Sequence, residues 1–152
     1  MKIHEKGIIG RLESIALPEL GIDELEVRVD TGAKTSSLHV DNIVKYRHQG
    51  KACVAFELHP DRHNVTKLVS CHALISDVRR IKSSNGNSEL RYVIKTLVKL
   101  GSETWPIEVT LTDRAEMNYL MLFGREAIGD KLLVDASQVF MIPLELPSHK
   151  TN

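Results

Sequence analysis

Apolar and polar positions alternate with a period of two through most of the chain. Leu25, Val27 and Val29 form one such run, Ala52, Val54, Phe56 and Leu58 a second, and Trp105, Ile107, Val109 and Leu111 a third with Glu108, Thr110 and Thr112 between them. Successive side chains of a strand point to opposite faces, so this pattern predicts half-buried β-strands. Tyr92, Ile94, Thr96, Val98 and Leu100 alternate in the same way and join the Trp105 run across Gly101-Ser-Glu-Thr104, a hairpin signal. A second hairpin is expected where Val78–Ile81 and Leu90–Val93 flank Ser83-Ser-Asn-Gly-Asn87, because Asn and Gly both tolerate positive φ. Only Gly124–Gly129 reads as a helix, a short one bounded by glycines. There is no internal repeat, low-complexity tract or linker-like stretch. The expectation is an all-β fold, a small and mostly antiparallel closed barrel with one short helix. It forms a single domain over residues 1–146, followed by a disordered tail at 147–152.

Composition fits that picture. The 152 residues are 42% apolar and 26% charged, with a mean hydropathy of -0.15, values typical of a soluble domain with one core. Twenty basic and twenty acidic side chains cancel, so no global field draws the chain to nucleic acid or anionic lipid, and nucleic-acid binding is disfavoured. The longest apolar runs, such as Tyr119–Phe123, are far too short to span a membrane, and Met1–Glu5 lacks the apolar stretch of a signal peptide. Cys53 and Cys71 are too few for a disulfide framework and suit a reducing compartment, so a cytoplasmic protein is expected. The charge is nevertheless uneven. Residues 1–33 carry four basic and seven acidic side chains, residues 34–99 twelve and five, and residues 100–152 four and eight, which makes the middle third basic.

The candidate chemistry lies where the Leu25 strand runs into Asp30-Thr31-Gly32, placing a carboxylate at a strand end. Asp, Thr and Gly also suit any tight turn, but here an apolar strand precedes them, Ala33 follows, and Met121-Leu-Phe-Gly-Arg125 recurs downstream before the short helix. This two-part signature resembles that of the retropepsin-like aspartic peptidases. More closely, Val29-Asp-Thr-Gly-Ala-Lys-Thr-Ser-Ser-Leu-His-Val40, Lys82-Ser-Ser-Asn-Gly86 and Leu122-Phe-Gly-Arg125 resemble the RimB-like bacterial family, described as ATP-dependent zinc proteases and associated with α-L-glutamate ligases.

The resemblance implies that Asp30 is the catalytic carboxylate, that Thr31 and Gly32 hold the active-site loop, and that Arg80–Arg91 forms a flap over the substrate. Aspartic peptidases activate water between two carboxylates that share a proton. None of the other seven aspartates is followed by Thr-Gly or Ser-Gly, so a C2 homodimer is expected, each subunit supplying one Asp30. Gly7–Leu17 and Leu132–Leu144 are the candidate interface strands. Retropepsins usually carry an acid directly after Asp-Thr-Gly-Ala, paired with the Arg of the later Gly-Arg. Here that position is Lys34, leaving Arg125 to pair with Glu126 or another acid, or to bind substrate.

The candidate substrate-binding set is Ala33, Lys34, Arg79, Arg80, Lys82, Ser84, Asn85, Gly86, Arg91 and Arg125, and its cations suit an acidic substrate. With the ligase association, this points to a peptidase acting on glutamate-rich or polyglutamate-tailed peptides and proteins. No cofactor is expected. Gly32-Ala-Lys-Thr35 lacks the glycine spacing of a phosphate loop, and His59, His63, Cys71 and His72 lack the metalloprotease helix pattern. His39, nine residues after Asp30, reads either as a cleft residue or as a packed one. Two alternatives remain open: a non-catalytic module that binds acidic tails, and a zinc peptidase using His and Cys ligands.

Overall fold

A computed structural model describes residues 6–61, 67–82, 86–113 and 119–144. Ser84 and Asn85 of the candidate site, His63, and the 147–152 tail lie outside the described residues. The chain is all-β with one short helix. In order, the strands are β1 (Gly7–Ile9), β2 (Leu12–Leu17), β3 (Ile22–Asp30), β4 (Ser36–His39), β5 (Asp41–His48), β6 (Lys51–Leu58) and β7 (Val69–Leu74). They continue as β8 (Asp77–Lys82), β9 (Ser88–Leu100), β10 (Glu103–Thr112), β11 (Met121–Gly124) and β12 (Leu132–Val134), and helix α1 spans Arg125–Ile128. This helix is not long and apolar enough to cross a membrane.

The main sheet runs β10-β4-β11-β3-β2-β9-β8, and β9 also pairs with β10, so the pairings of six strands return to their start. Strand β9, thirteen residues long, makes this possible. Its first half holds β8 in a hairpin and its second half holds β10. The turn to β10 follows the pattern, with Glu103 paired to Leu100 around Gly101 at φ +60. The last pair of the β8–β9 ladder is Lys82 with Ser88, so five residues separate the two strands, more than a two-residue Asn-Gly turn would leave.

The pairings are mostly antiparallel, as expected, with two parallel ones inside the main sheet, β3 with β11 and β4 with β10. Alternation reports which face is buried and is blind to strand direction. A three-stranded β5-β6-β7 sheet and a parallel β1–β12 pair complete the architecture. The terminal segments singled out as interface candidates thus pair with each other within one subunit, leaving Ile8 47% and Leu133 52% exposed.

The core follows the alternating positions. Leu25, Val27, Ile94, Val98, Val109, Leu111, Met121 and Phe123 are all buried. Trp105 meets the edge of Phe123 with ring centroids 6.4 Å apart and donates Nε1–H to the Ala127 carbonyl at 3.0 Å, locking α1 onto β10. Two buried polar groups have opposite fates. The Glu13 carboxylate accepts N–H bonds from Gly10 and Met141 at 2.8 and 2.9 Å and from Ile142 at 3.2 Å, pinning the C-terminal segment to the β1–β2 turn. The Thr96 hydroxyl is buried with no partner among the described residues.

These contrasting environments predict opposite mutational signs. Glu13→Ala strands the backbone donors and should cost about 3 kcal/mol. Thr96→Val keeps the shape, removes an unmatched hydroxyl and should gain about 1 kcal/mol. Urea denaturation of the two variants against the parent chain checks both.

Candidate active site

Asp30 ends β3 directly opposite Gly124, the last residue of β11. The chain then turns: Ala33 N–H bonds back to the Asp30 carbonyl at 3.2 Å, and Gly32 N–H donates to Asp30 Oδ1 at 3.0 Å. The aspartate is half-buried, and its second carboxylate oxygen has no hydrogen-bond partner among the described residues. Thr31 and Gly32 are exposed on the turn.

This loop is held from the other side by the start of α1. Arg125 N–H donates to the Ala33 carbonyl at 2.8 Å and Glu126 N–H to the Lys34 carbonyl at 3.1 Å, so two amides that a helix start leaves unpaired are satisfied by the loop. Gly124 N–H donates to Ser36 Oγ at 3.0 Å. A Cβ at Gly124 would sit 2.8 Å from Thr35 C and 2.9 Å from Ser36 N, closer than real contacts allow. The Arg125 guanidinium donates to the carbonyls of Thr31 at 3.4 Å and Gly32 at 3.3 Å. With Lys34 in place of the usual acid, backbone carbonyls take over the acid's part, and Arg125 braces the loop instead of pairing with Glu126.

Above the loop lies a cleft of about 810 Å³. Asp30, Gly32, Ala33, Lys34, Arg79, Arg80, Lys82 and Arg91 from the sequence-derived set line it. Thr35, Ser37, Ile81 and Leu122 line it as well and were not anticipated. Thr31, Gly86 and Arg125 are not among the lining residues; Gly86, between β8 and β9, has φ +89.

The β8–β9 hairpin sorts its cations by face. Arg79 and Arg91 sit directly opposite each other in the pairing register, a like-charge juxtaposition that needs compensation. Asp77 and Glu108 supply it at Arg79, and Glu89 at Arg91. The hydrogen bond from Arg79 holds the Asp77 carboxyl below its ordinary range, and the same two acids raise the Arg79 guanidinium. Arg80 and Lys82 fall on the alternate, exposed face, and Arg80 bonds Ser88 Oγ at 3.3 Å. The signal for these partners was present in the sequence as Asp77-x-Arg79 and Glu89-x-Arg91, because residues two apart share a face of a strand.

The family model described as "Retropepsin-like aspartic endopeptidase RimB" matches residues 8–145, which include every element of this site. The chain belongs to the RimB-like family. It is 47% identical over 137 residues to a Shewanella pealeana protein named "Probable alpha-L-glutamate ligase", covering 90% of this chain and 30% of that one. A Desulfotalea psychrophila protein of the same name is 48% identical over 130 residues, covering 86% and 28%. The RimB-like chain therefore spans about a third or less of the length of these relatives. The crystal structure of the Legionella pneumophila protein Lpg0085 superposes with a TM-score of 0.74 at 30% identity, covering 90% of this chain and 98% of that one.

The described histidines and cysteines do not fit a zinc set. His59 Nδ1 lies 3.2 Å from the Lys67 carbonyl and Nε2 lies 3.8 Å from Asp41. Burial pushes the Cys71 thiol up to about 11, away from the thiolate a metal needs, and Sγ donates to the Leu20 carbonyl at 3.5 Å. Consecutive positions send Cys71 inward and leave His72 exposed. Among the described residues no three His, Cys, Asp or Glu side chains group as ligands.

The loop's dependence on one missing side chain is testable. Gly124→Ala should destabilise the fold by roughly 2–4 kcal/mol through overpacking and loosen the Asp30 turn. Thermal unfolding, with hydrogen exchange at the Gly32 and Ala33 amides, measures both effects.

Proposed function

We propose that this chain is a retropepsin-like aspartic peptidase acting on acidic, glutamate-rich or polyglutamate-tailed peptides. In this reading the ring of paired strands is a closed barrel, residues 1–146 act as one domain in the cytoplasm, and two subunits associate about a twofold axis. Each lends one Asp30. The observation that carries the proposal is the half-site itself: a carboxylate with one oxygen fixed by Gly32 and the other unengaged, at the foot of a cleft lined by five cations.

The chemistry follows from the pairing of two such carboxylates. Like charges about 3 Å apart cannot both ionise, so the pair shares one proton. The ionised member takes a proton from water, which attacks the peptide carbonyl, and the protonated member donates to the carbonyl oxygen. Lys34, Arg80 and Lys82, which have no ion-pair partner among the described residues, supply the attraction for an acidic chain.

The ligase name of the relatives supports the substrate class, since an enzyme that adds glutamate and one that removes it recognise the same tail. Thr31, Gly32, Ala33, Gly86 and Arg125 then shape the loop and flap. The second reading is a module that binds acidic tails without cutting them. It is favoured by the presence of one Asp-Thr-Gly in the chain.

Incubation of a peptide carrying a polyglutamate tail, followed by mass spectrometry, separates the two. Cleavage is expected in the wild type, reduced roughly a thousandfold in Asp30→Asn with binding retained, and unchanged by a chelator. Sedimentation should find a dimer at working concentration. A tail that is bound and left intact selects the binding module, and an active monomer refutes the shared dyad.

A further inference from the structure

The paired arginines of the cleft are engaged to different degrees. Arg79 is committed to its own chain: Nε donates to Asp77 Oδ2 at 2.8 Å, and Nη2 to the two Glu108 oxygens at 3.1 and 3.0 Å. Two carboxylates face that one guanidinium, so its immediate surroundings are net negative and repel another acid. Arg91 has a single carboxylate partner. Its Nε donates to Glu89 Oε1 at 2.6 Å and its Nη1 to Ser37 Oγ at 3.3 Å. A guanidinium carries five N–H donors, so the two used leave three on the terminal nitrogens of a group that lines the cleft.

The group that carries those donors is largely buried and held still. The Arg91 side chain is only 11% exposed. Both of its partners are fixed in turn from β10, Ser37 Oγ lying 3.0 Å from Thr110 Oγ1 and Glu89 Oε1 accepting from Thr112 Oγ1 at 3.1 Å. A planar fork ordered in advance and shielded from water is the arrangement that binds a carboxylate tightly and with directional preference.

We propose that Arg91 forms a carboxylate-reading subsite that takes one glutamate side chain of an extended acidic peptide, away from the bond held at Asp30. The pairing register sets the offset. Asp30 faces Gly124 across β3–β11, and Ser37 faces Leu122 across β11–β4. Two strand spacings and two residues along the strand amount to roughly 12 Å, the reach of about three to four residues of extended peptide. The subsite rests on the acidic-peptide reading above and does not require that the peptide be cut.

The test is fluorescence anisotropy with a labelled octaglutamate peptide and the Asp30→Asn chain, which holds the peptide without turnover. Adding Arg91→Lys, which keeps the charge and removes the fork, should weaken binding at least tenfold. Arg79→Lys should weaken it less than threefold. Ser37→Ala, a small change that frees the Arg91 fork, should weaken binding about threefold to fivefold and carries the test if Arg91→Lys does not fold.

Replacing the glutamates one at a time by glutamine should reveal one position of largest loss, absent in the Arg91→Lys chain. No binding by the Asp30→Asn chain, equal losses in the two arginine variants, or a uniform loss along the peptide would overturn the subsite. Unchanged KM and kcat of Arg91→Lys on a peptide the wild type cleaves overturns the subsite alone. Arg91-dependent binding without cleavage by the wild type overturns the peptidase reading alone.

Discussion

The site depends on one close approach, the seating of Gly124 against the Thr35–Ser36 backbone. Because β11 runs parallel to β3, its last residue lies level with Asp30, and α1 begins where the Asp30 turn ends. The absent side chain lets the two segments touch. The first amides of α1 then find acceptors in Ala33 and Lys34, and the Arg125 guanidinium closes over Thr31 and Gly32. A four-residue helix has little stability of its own. Here it is a clasp, fixed by the Trp105 bond to Ala127 on one side and by the loop on the other. One oxygen of the carboxylate is positioned by a backbone donor, the Gly32 N–H, and not by the side chains of the exposed turn.

Lys34 illustrates how far such a frame tolerates exchange. The acid expected at that position would neutralise Arg125, yet Arg125 remains bound because carbonyl oxygens are acceptors of nearly equal geometry. The exchange frees a cation for the cleft without undoing the loop. It also explains why a neutral chain can have a strongly cationic cleft: acids lie beside the two facing arginines, Asp77 and Glu108 at Arg79 and Glu89 at Arg91, and are sparse where Lys34, Arg80 and Lys82 meet solvent. Partly exposed pairs such as Arg79–Asp77 add little stability. Their consequence is placement, since they decide which guanidinium groups keep donors to spare.

Much of this was legible in the sequence, and the limits have physical causes. Alternation identified β3, β6, β9 and β10, because burial on one face is a local property, and bounding glycines marked the short helix within Gly124–Gly129. Strand direction is set by which partners are available in three dimensions, and so the parallel β3–β11 and β4–β10 pairs could not be read from it. Asp30, Lys34 and the hairpin cations were named from their motifs and charge. Ser37 and Leu122 were missed because a small polar or apolar residue acquires a role only through its neighbours. Arg79 and Arg91 look alike in sequence, and only their partners distinguish them.

Under the proposed reading, the ligase-named relatives show one setting in which such a cleft would act. In those relatives a segment nearly half identical to this chain shares one polypeptide with the remainder of a much longer protein. Covalent linkage raises the effective concentration of one active centre near the product of another, to the millimolar range for short flexible connections. A tail lengthened by the ligase portion would meet the cleft before diffusing away, and a low intrinsic affinity would suffice. An electrostatically attractive cleft likewise raises the rate at which an acidic chain is encountered. On that reading the cationic lining and the oriented Arg91 fork would serve different stages of the same recognition: the first would gather acidic chains at long range, and the second would set their register against Asp30.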